Sequence, residues 1–241
     1  MPRLGTRKLY HILQAQLSEL KVGRDKLFEI LKANNMCILP KKKYHVTTNS
    51  HHRFKKHKNI VKDLDVNRPN QVWVSDITYT GHRENPSYLA LITDAYSKKV
   101  VGYDLSNSLN VSGSLRALEM ALNNEQTKDQ PLIHHSDRGL QYCSDDYQKL
   151  LKDSQILTSM TEQYDPYENA IAERINGVLK QEFDIDISDL ELEQRAKLVK
   201  NSIEIYNEIR PHWSNNLLTP NQMHQQNQVK RKSYKNQKVA I

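Results

Sequence analysis

"QVWVSDITYT" (Gln71–Thr80) decides how the rest of the chain is read. Val, Trp, Ile, Thr and Tyr dominate it, the composition of a β-strand. One residue breaks the pattern. Asp76 puts a carboxylate inside the strand, where burial without a partner is costly. Downstream, "SYLALITDAYS" and "KKVVGYDLSNS" read as two more strands joined by a tight turn at residues 96–98. A helix is predicted over 112–123, with Leu115, Leu118 and Leu122 on one face. "PLIHHS" then reads as a short strand, "SDDYQKLLKDS" as a helix with Ser144 as N-cap, and "ILTSM" as another strand. A helix from about 168 to 182 follows. The last helix begins in "DISDLELEQRAKLVKNSIEIYNEIR", acidic first and basic later, and ends at Pro211. Three strands followed by alternating helix and strand predict an α/β fold with a mixed sheet.

Outward from this body the texture changes. "TRKLYHILQAQLSELKVGRDKLFEILKANNM" reads as two amphipathic helices around a Val22-Gly23 turn, a pattern that suits a helix-turn-helix and equally a plain helical hairpin. "KKKYHVTTNSHHRFKKHKNIVK" is polar and basic; its histidines (His45, His51, His52, His57) have no acidic or Cys companions, so a phosphate-tracking arm is expected rather than a metal site. The predicted organisation is a helical DNA-binding region over 1–45, a basic linker over 46–66, the α/β core over 67–220 and a basic, Gln/Asn-rich flexible tail over 221–241.

The net charge of +7 is unevenly spread. Residues 1–62 hold 15 Lys/Arg against 3 Asp/Glu, and residues 224–241 hold 5 against none. The body between them holds 15 against 25. Basic arms around an acidic body point to a nucleic-acid partner, with Lys55 and Lys56 among the expected DNA contacts. No apolar run suits a membrane span, and two cysteines offer neither a disulfide framework nor a zinc pair, so a soluble cytoplasmic protein is expected.

Three carboxylates stand out by position: Asp76 in the first strand, Asp137 directly after "PLIHHS", and Glu173 in "YENAIAERINGVLKQEF". On that last helix Ala170, Glu173, Gly177 and Lys180 share one face, while Ile171, Ile175, Val178 and Leu179 form the face that packs. Small residues beside Glu173 leave room for a ligand, and Lys180 can reach an anionic one. Carboxylates from separate elements suit Mg²⁺ or Mn²⁺, and two such ions assist an in-line displacement at phosphorus. Each carboxylate taken alone is equally compatible with a turn, a cap or an ion pair. Asp94, in "TDAYSKK", is expected to cap backbone N–H groups of a turn.

Together these segments resemble the DDE transposases of bacterial insertion sequences, whose core is similar to that of retroviral integrases, a ribonuclease-H-like fold. "PNQVWVSDITYT", "IHHSDRGLQY", "YENAIAERINGVLKQEF" and "YNEIRPHWSNNLLTPNQ" carry the likeness, and 35 residues separate Asp137 from Glu173, the spacing typical of that family. Glu168-Asn169-Ala170 replaces the commoner Asp-Asn-Ala, and the retroviral His-His-Cys-Cys module has no counterpart. The resemblance implies a catalytic and metal-binding triad of Asp76, Asp137 and Glu173, two Mg²⁺ or Mn²⁺ ions, and DNA contacts from Lys180 and Arg174. It implies double-stranded DNA, both element ends and target, as substrate. It also implies a homo-oligomer on that DNA, a place at the bacterial nucleoid, and an upstream-frame DNA-binding protein or fusion. A ribonuclease-H-type nuclease that never joins ends, or a DNA-binding relative without catalysis, are the competing readings. Asn169 and Arg174 are expected to line the site, and His135 or Ser136 to support Asp137 from behind. The role of His134 and His135 is left open.

Overall fold

The computed structural model describes residues 1, 3–38, 56–82, 85–124, 130–162, 169–187 and 189–226 of the 241-residue chain. Three helices open it: α1 (Thr6–Ile12), α2 (Gln14–Glu19) and α3 (Arg24–Ala33). The expected first helix is thus two, broken where Leu13 takes φ −90° and ψ 8°. The break keeps Leu9 and Leu13 beside the buried Leu17, Leu27 and Leu31, a small core of their own.

The α/β body follows the order read from the sequence. β1 (Val72–His82), β2 (Asn85–Asp94) and β3 (Val100–Ser106) form an antiparallel meander, with Trp73 opposite Asp94 and His82 opposite Asn85. α4 (Val111–Asn124) carries the chain back across the sheet. β4 (Ile133–Ser136) can therefore pair parallel with β1, Val74 beside His135. α5 (Leu140–Cys143) and α6 (Asp145–Asp153) lead to β5 (Leu157–Met160), parallel to β4. Ser144 caps α6 as expected, its side chain accepting from the Tyr147 backbone N–H. The sheet order is β3-β2-β1-β4-β5. α7 (Ala170–Glu182), α8 (Leu192–Glu208), a 3₁₀ turn (Trp213–Asn215) and α9 (Pro220–His224) complete the described chain.

Side-chain alternation on β1 sorts the two faces. Trp73 and Ile77 join the core under α4 and α6, with Leu118, Tyr147, Leu151 and Met160. Val72 and Val74 face the other way, toward Ala172 of α7 and Met223 of α9. Asp76, two residues beyond Val74, therefore lies on the α7 face. On that face Leu89 and Leu91 pack against Ile175, Val178 and Leu179 of α7 and Val199, Ile203 and Tyr206 of α8. α4 lies so close to β3 that a Cβ on Gly102 would stand 2.1 Å from the Ala117 carbonyl oxygen.

Polar ties fix the outlying parts. Asp94 is fully buried and does what the turn motif suggested: Oδ1 accepts from the Ser97 N–H and Oγ–H, both at 2.7 Å, and Oδ2 from the Asn70 N–H at 2.8 Å. Glu182, at the end of α7, accepts from Arg210 at 2.6 and 2.7 Å and from Lys8 at 3.2 Å, which docks α1 on the body. Burial and the nearby Arg210 lower the Lys8 pKa to about 8. The end of the basic linker runs along edge strand β5: the Ile60 N–H donates to Ser159 Oγ at 3.0 Å and the Asn59 N–H to Glu162 Oε1 at 3.1 Å. Val66 from the linker and Met223 from the expected tail are both buried in the body. α9 forms because Thr219 and Gln222 make a reciprocal capping box with Pro220 at the first turn, a signal hidden in a Gln/Asn-rich stretch. The Lys55 contact, the linker histidines His45, His51 and His52, Glu168 and residues 227–241 lie outside the described residues. Among the described residues no helix is long and apolar enough to cross a membrane.

Candidate active site

The site is built on the β1–β4 pair. Val72, Trp73 and Val74 pair with Ile133, His134 and His135; the same register carried two residues further sets Asp76 beside Asp137. Asp137 sits just past the end of β4, where its Oδ1 accepts from the Gly139 N–H at 3.0 Å and shapes the turn away from the strand. Asp76 is half-buried and accepts from Asn176 Nδ2 at 2.7 Å. Burial, then the negative charge of Asp137, push the Asp76 pKa up to about 7; Glu173 adds to the rise, while the Ile77 N–H and Asn176 oppose it. Two like charges held together in a sheet cleft form a site with charge to spare.

α7 crosses above them. Asn169, just before the helix, donates through Nδ2 to the Ser75 carbonyl at 2.9 Å, and Asn176, two turns later, donates to Asp76. These amides tether α7 to β1 on both sides of Glu173, which lies between them on the same helix face. Glu173 is exposed, and its carboxyl pKa is raised by partial burial. It is within electrostatic reach of Asp76, yet among the described residues no group of three His, Cys, Asp or Glu side chains is gathered closely enough to hold a metal ion. Asp76 and Asp137 form the assembled half of the site.

Lys180 stands two turns beyond Glu173, half-buried, its pKa lowered by burial and supported by the charges of Asp186 and Asp76. It thus feels the charge of Asp76. Arg174 is exposed, and its charge is felt by Lys8, Tyr206 and His212. Lys56 is exposed and near Cys143, which also senses Asp137, so the end of the basic arm comes close to the site.

The two histidines are internal pins. His134 is fully buried, with Ser75 Oγ at 2.7 Å and Tyr147 OH at 2.9 Å from its Nε2, tying β4 to β1 and α6. Burial, aided by the neighbouring His135, lowers its pKa to about 3, so it stays neutral. His135 Nδ1 lies 2.9 Å from Ser159 Oγ on β5. Both hold the strand that leads to Asp137. Asn176 was missed from the sequence, although its place three residues after Glu173 put it on the same face.

The integrase core domain family model matches residues 66–166, and a second integrase core model matches residues 154–220. The insertion element IS600 uncharacterized 31 kDa protein of Shigella sonnei is 36% identical over 212 residues, covering 86% of this chain and 76% of the relative. The transposase for insertion sequence element IS629 of Shigella sonnei is 40% identical over 113 residues, 47% of this chain and 38% of its own length. Transposase InsF for insertion sequence IS3fB of Escherichia coli is 36% identical over 169 residues, 70% of this chain and 58% of its own. The chain thus spans under two thirds of these two transposases. Among solved structures, the HTLV-2 integrase catalytic core domain in complex with magnesium is 19% identical, with a TM-score of 0.51 over 65% of this chain and 97% of that one. The simian T-cell lymphotropic virus intasome gives 19% and 0.57 over 93% and 76%. These two show the ribonuclease-H-like fold. Sequence likeness over most of the chain and the integrase core agree, and the chain belongs to the DDE transposases of bacterial insertion sequences.

Proposed function

We propose that this chain cuts DNA at the ends of its insertion sequence and joins the freed 3′ hydroxyl to target DNA, using Asp76, Asp137 and Glu173. One juxtaposition carries the reading: Asp76 and Asp137, 61 positions apart, come together on adjacent parallel strands under the helix that bears Glu173. A stability role does not account for a like-charged pair in a cleft, because the charges raise each other's cost.

The donor set fits a divalent cation. It is all oxygen, it comes from rigid elements, and the named side-chain donor to Asp76 is a neutral amide. Asp76 and Asp137 would hold Mg²⁺ or Mn²⁺, two ions in the full site, with Glu173 as the third protein ligand. Bound there, such ions supply activation of the attacking hydroxyl and charge neutralisation at phosphorus. The chain's own residues do the rest. Asn176 holds the Asp76 Oδ2 in place, Asn169 fixes the start of α7, and Lys180 draws the phosphodiester toward the carboxylates. Gly177, whose added Cβ would meet nothing within 4 Å, leaves that helix face open to the strand. Positioning and electrostatics suffice, and no covalent enzyme intermediate is needed. The acidic body tolerates DNA because the arms and the bound cations offset its charge. Bridging two element ends requires at least a dimer on the DNA.

The test offers the purified protein a duplex carrying its own element's terminal repeat, a target plasmid and Mg²⁺. Joined products are expected, and Asp137→Asn should lose both cleavage and joining while its DNA affinity changes little. Cleavage without joining would support a plain nuclease instead. A mutant that still joined ends would overturn the triad.

A further inference from the structure

A cavity of about 390 Å³ opens between the N-terminal helices and the loop after Pro211, lined by Arg7, Tyr10, His11, Arg24, Trp213 and Leu217, together with Gln14. We propose that this cavity takes an unpaired base of a DNA strand, stacked on Trp213, with the flanking phosphates on Arg7 and Arg24. The proposal deepens the transposase reading by adding a subsite for a frayed or cleaved DNA end, whose lining includes none of the three carboxylates.

Three observations carry it. First, Trp213 is 43% exposed, unlike Trp73, which is wholly buried with its indole N–H bonded to Asn70. An aromatic face open to solvent beside arginines is what base stacking and cation–π contact use. Second, Trp213 is held on a closed loop. The His212 N–H donates to the Leu218 carbonyl, the Leu217 N–H to His212, and the Asn215 side chain to the Ser97 carbonyl. Asn216 and Leu217 sit at φ 55° and 68°, a left-handed region that a leucine rarely enters unless its surroundings enforce it. The loop holds strain in order to present Trp213 and Leu217 to the cavity. Third, two arginines stand at the mouth. Arg7 and Arg24 are exposed at the mouth, and Asp25, 2.9 Å from Arg24 Nε, is the acidic residue paired there. His212, next to Trp213, is kept neutral by burial and then by the charges of Arg210, Lys98, Lys8 and Arg174. A cavity of a few hundred Å³ is large enough for one base, and the exposed Arg7 and Arg24 supply cations for its phosphates.

The two tryptophans provide the assay. Emission of Trp213, read by its access to acrylamide, is followed while the full-length protein is titrated with a duplex bearing a short single-stranded overhang, or with the same duplex blunt-ended. The overhang duplex should quench and shield Trp213 and bind more tightly than the blunt one. Trp213→Ala should remove about 5- to 150-fold of affinity for the overhang, the range of one base stack, and abolish the preference over blunt ends. Trp213→Phe should restore most of it. Arg7→Gln and Arg24→Gln should each lower the slope of log affinity against log salt by about 0.7. Unshielded Trp213 at saturating overhang DNA, or an overhang preference that survives Trp213→Ala in a protein whose Trp73 emission is native, overturns the subsite. The same titration on Asp137→Asn keeps the two readings apart. Quenching without joining retains the subsite and tests only the triad, whereas joining without quenching removes the subsite and leaves the transposase.

Discussion

Two glycines, changed to alanine, should move this protein in opposite directions. At Gly102 the new Cβ would stand 2.1 Å from the Ala117 carbonyl oxygen, 2.9 Å from Ala121 Cβ and 3.0 Å from Ala121 N. Two of these atoms are backbone of α4, so no side chain can swing aside. Relief requires α4 to lift from β3 by more than an ångström. That opens the core around Ala117, Leu118 and Ala121, each with no exposed surface. Overpacking a core costs about 1–3 kcal/mol, and a backbone clash belongs at or above the top of that range. At Gly177, on α7, the added Cβ meets nothing within 4 Å. A glycine inside a helix costs about 0.5–1 kcal/mol relative to alanine, so Gly177→Ala should stabilise by about that amount. Urea unfolding followed by Trp73 fluorescence measures both. Gly102→Ala should lose at least ~3 kcal/mol, roughly 6–12 °C in Tm for a domain of this size. A change within ~0.5 kcal/mol, the scale of an ordinary surface substitution, would refute the close packing of α4 on β3. Strand-transfer assays add a second reading on Gly177→Ala. It should be more stable and yet slower, because its methyl group occupies the face between Glu173 and Lys180. A variant more stable and equally active would refute the idea that the DNA strand approaches there.

Asn176→Ala should keep the fold and DNA affinity but lower the strand-transfer rate by about 10- to 100-fold, the usual effect of removing a brace behind a metal ligand; a rate within twofold of wild type would deny Asn176 a positioning role. Acid should weaken the fold through His134. Its pKa is about 3 folded and 6.5 unfolded, so between those values the unfolded chain binds more protons and stability falls as pH falls, by up to ~1.4 kcal/mol per pH unit. Asp76, raised to about 7, acts in the opposite direction, stabilising as pH falls from 7. The comparison must therefore be wild type against His134→Gln, whose stability difference should shrink steadily as denaturation is measured from pH 6.5 down to 4.5. A difference independent of pH would mean that His134 is not held neutral.

Much of this protein was legible in its sequence because local patterns and long-range contacts agree. The β-rich run around Asp76, the turn capped by Asp94, the Ser144 cap and the apolar face of α7 each express an interaction within a few residues. They therefore read correctly one segment at a time. The spacing of Asp137 and Glu173, with the quoted motifs, was enough to suggest the family. What lay beyond reach depended on partners far away in sequence. The break at Leu13 follows from packing the N-terminal leucines into a separate small core. The order of α9 follows from burial of Met223 against Val72 and Val74, which its polar composition hides. Arg174 and Lys180 are both cations on α7, and only the body packed behind that helix decides that Lys180 is half-buried within reach of Asp186 and Asp76 while Arg174 stays exposed within reach of Lys8 and His212. The role of the histidines before Asp137 was open in the sequence, and tertiary contacts with Ser75, Tyr147 and Ser159 make them pins. By itself the sequence singled out the candidate carboxylates and determined which elements carry them, since strand alternation and helix periodicity are local. Only the tertiary structure decided that Asp76 and Asp137 meet on neighbouring strands, that Asn176 braces one of them and that Glu173 stands apart. Those relations depend on register and helix docking, set by burial across the whole sheet.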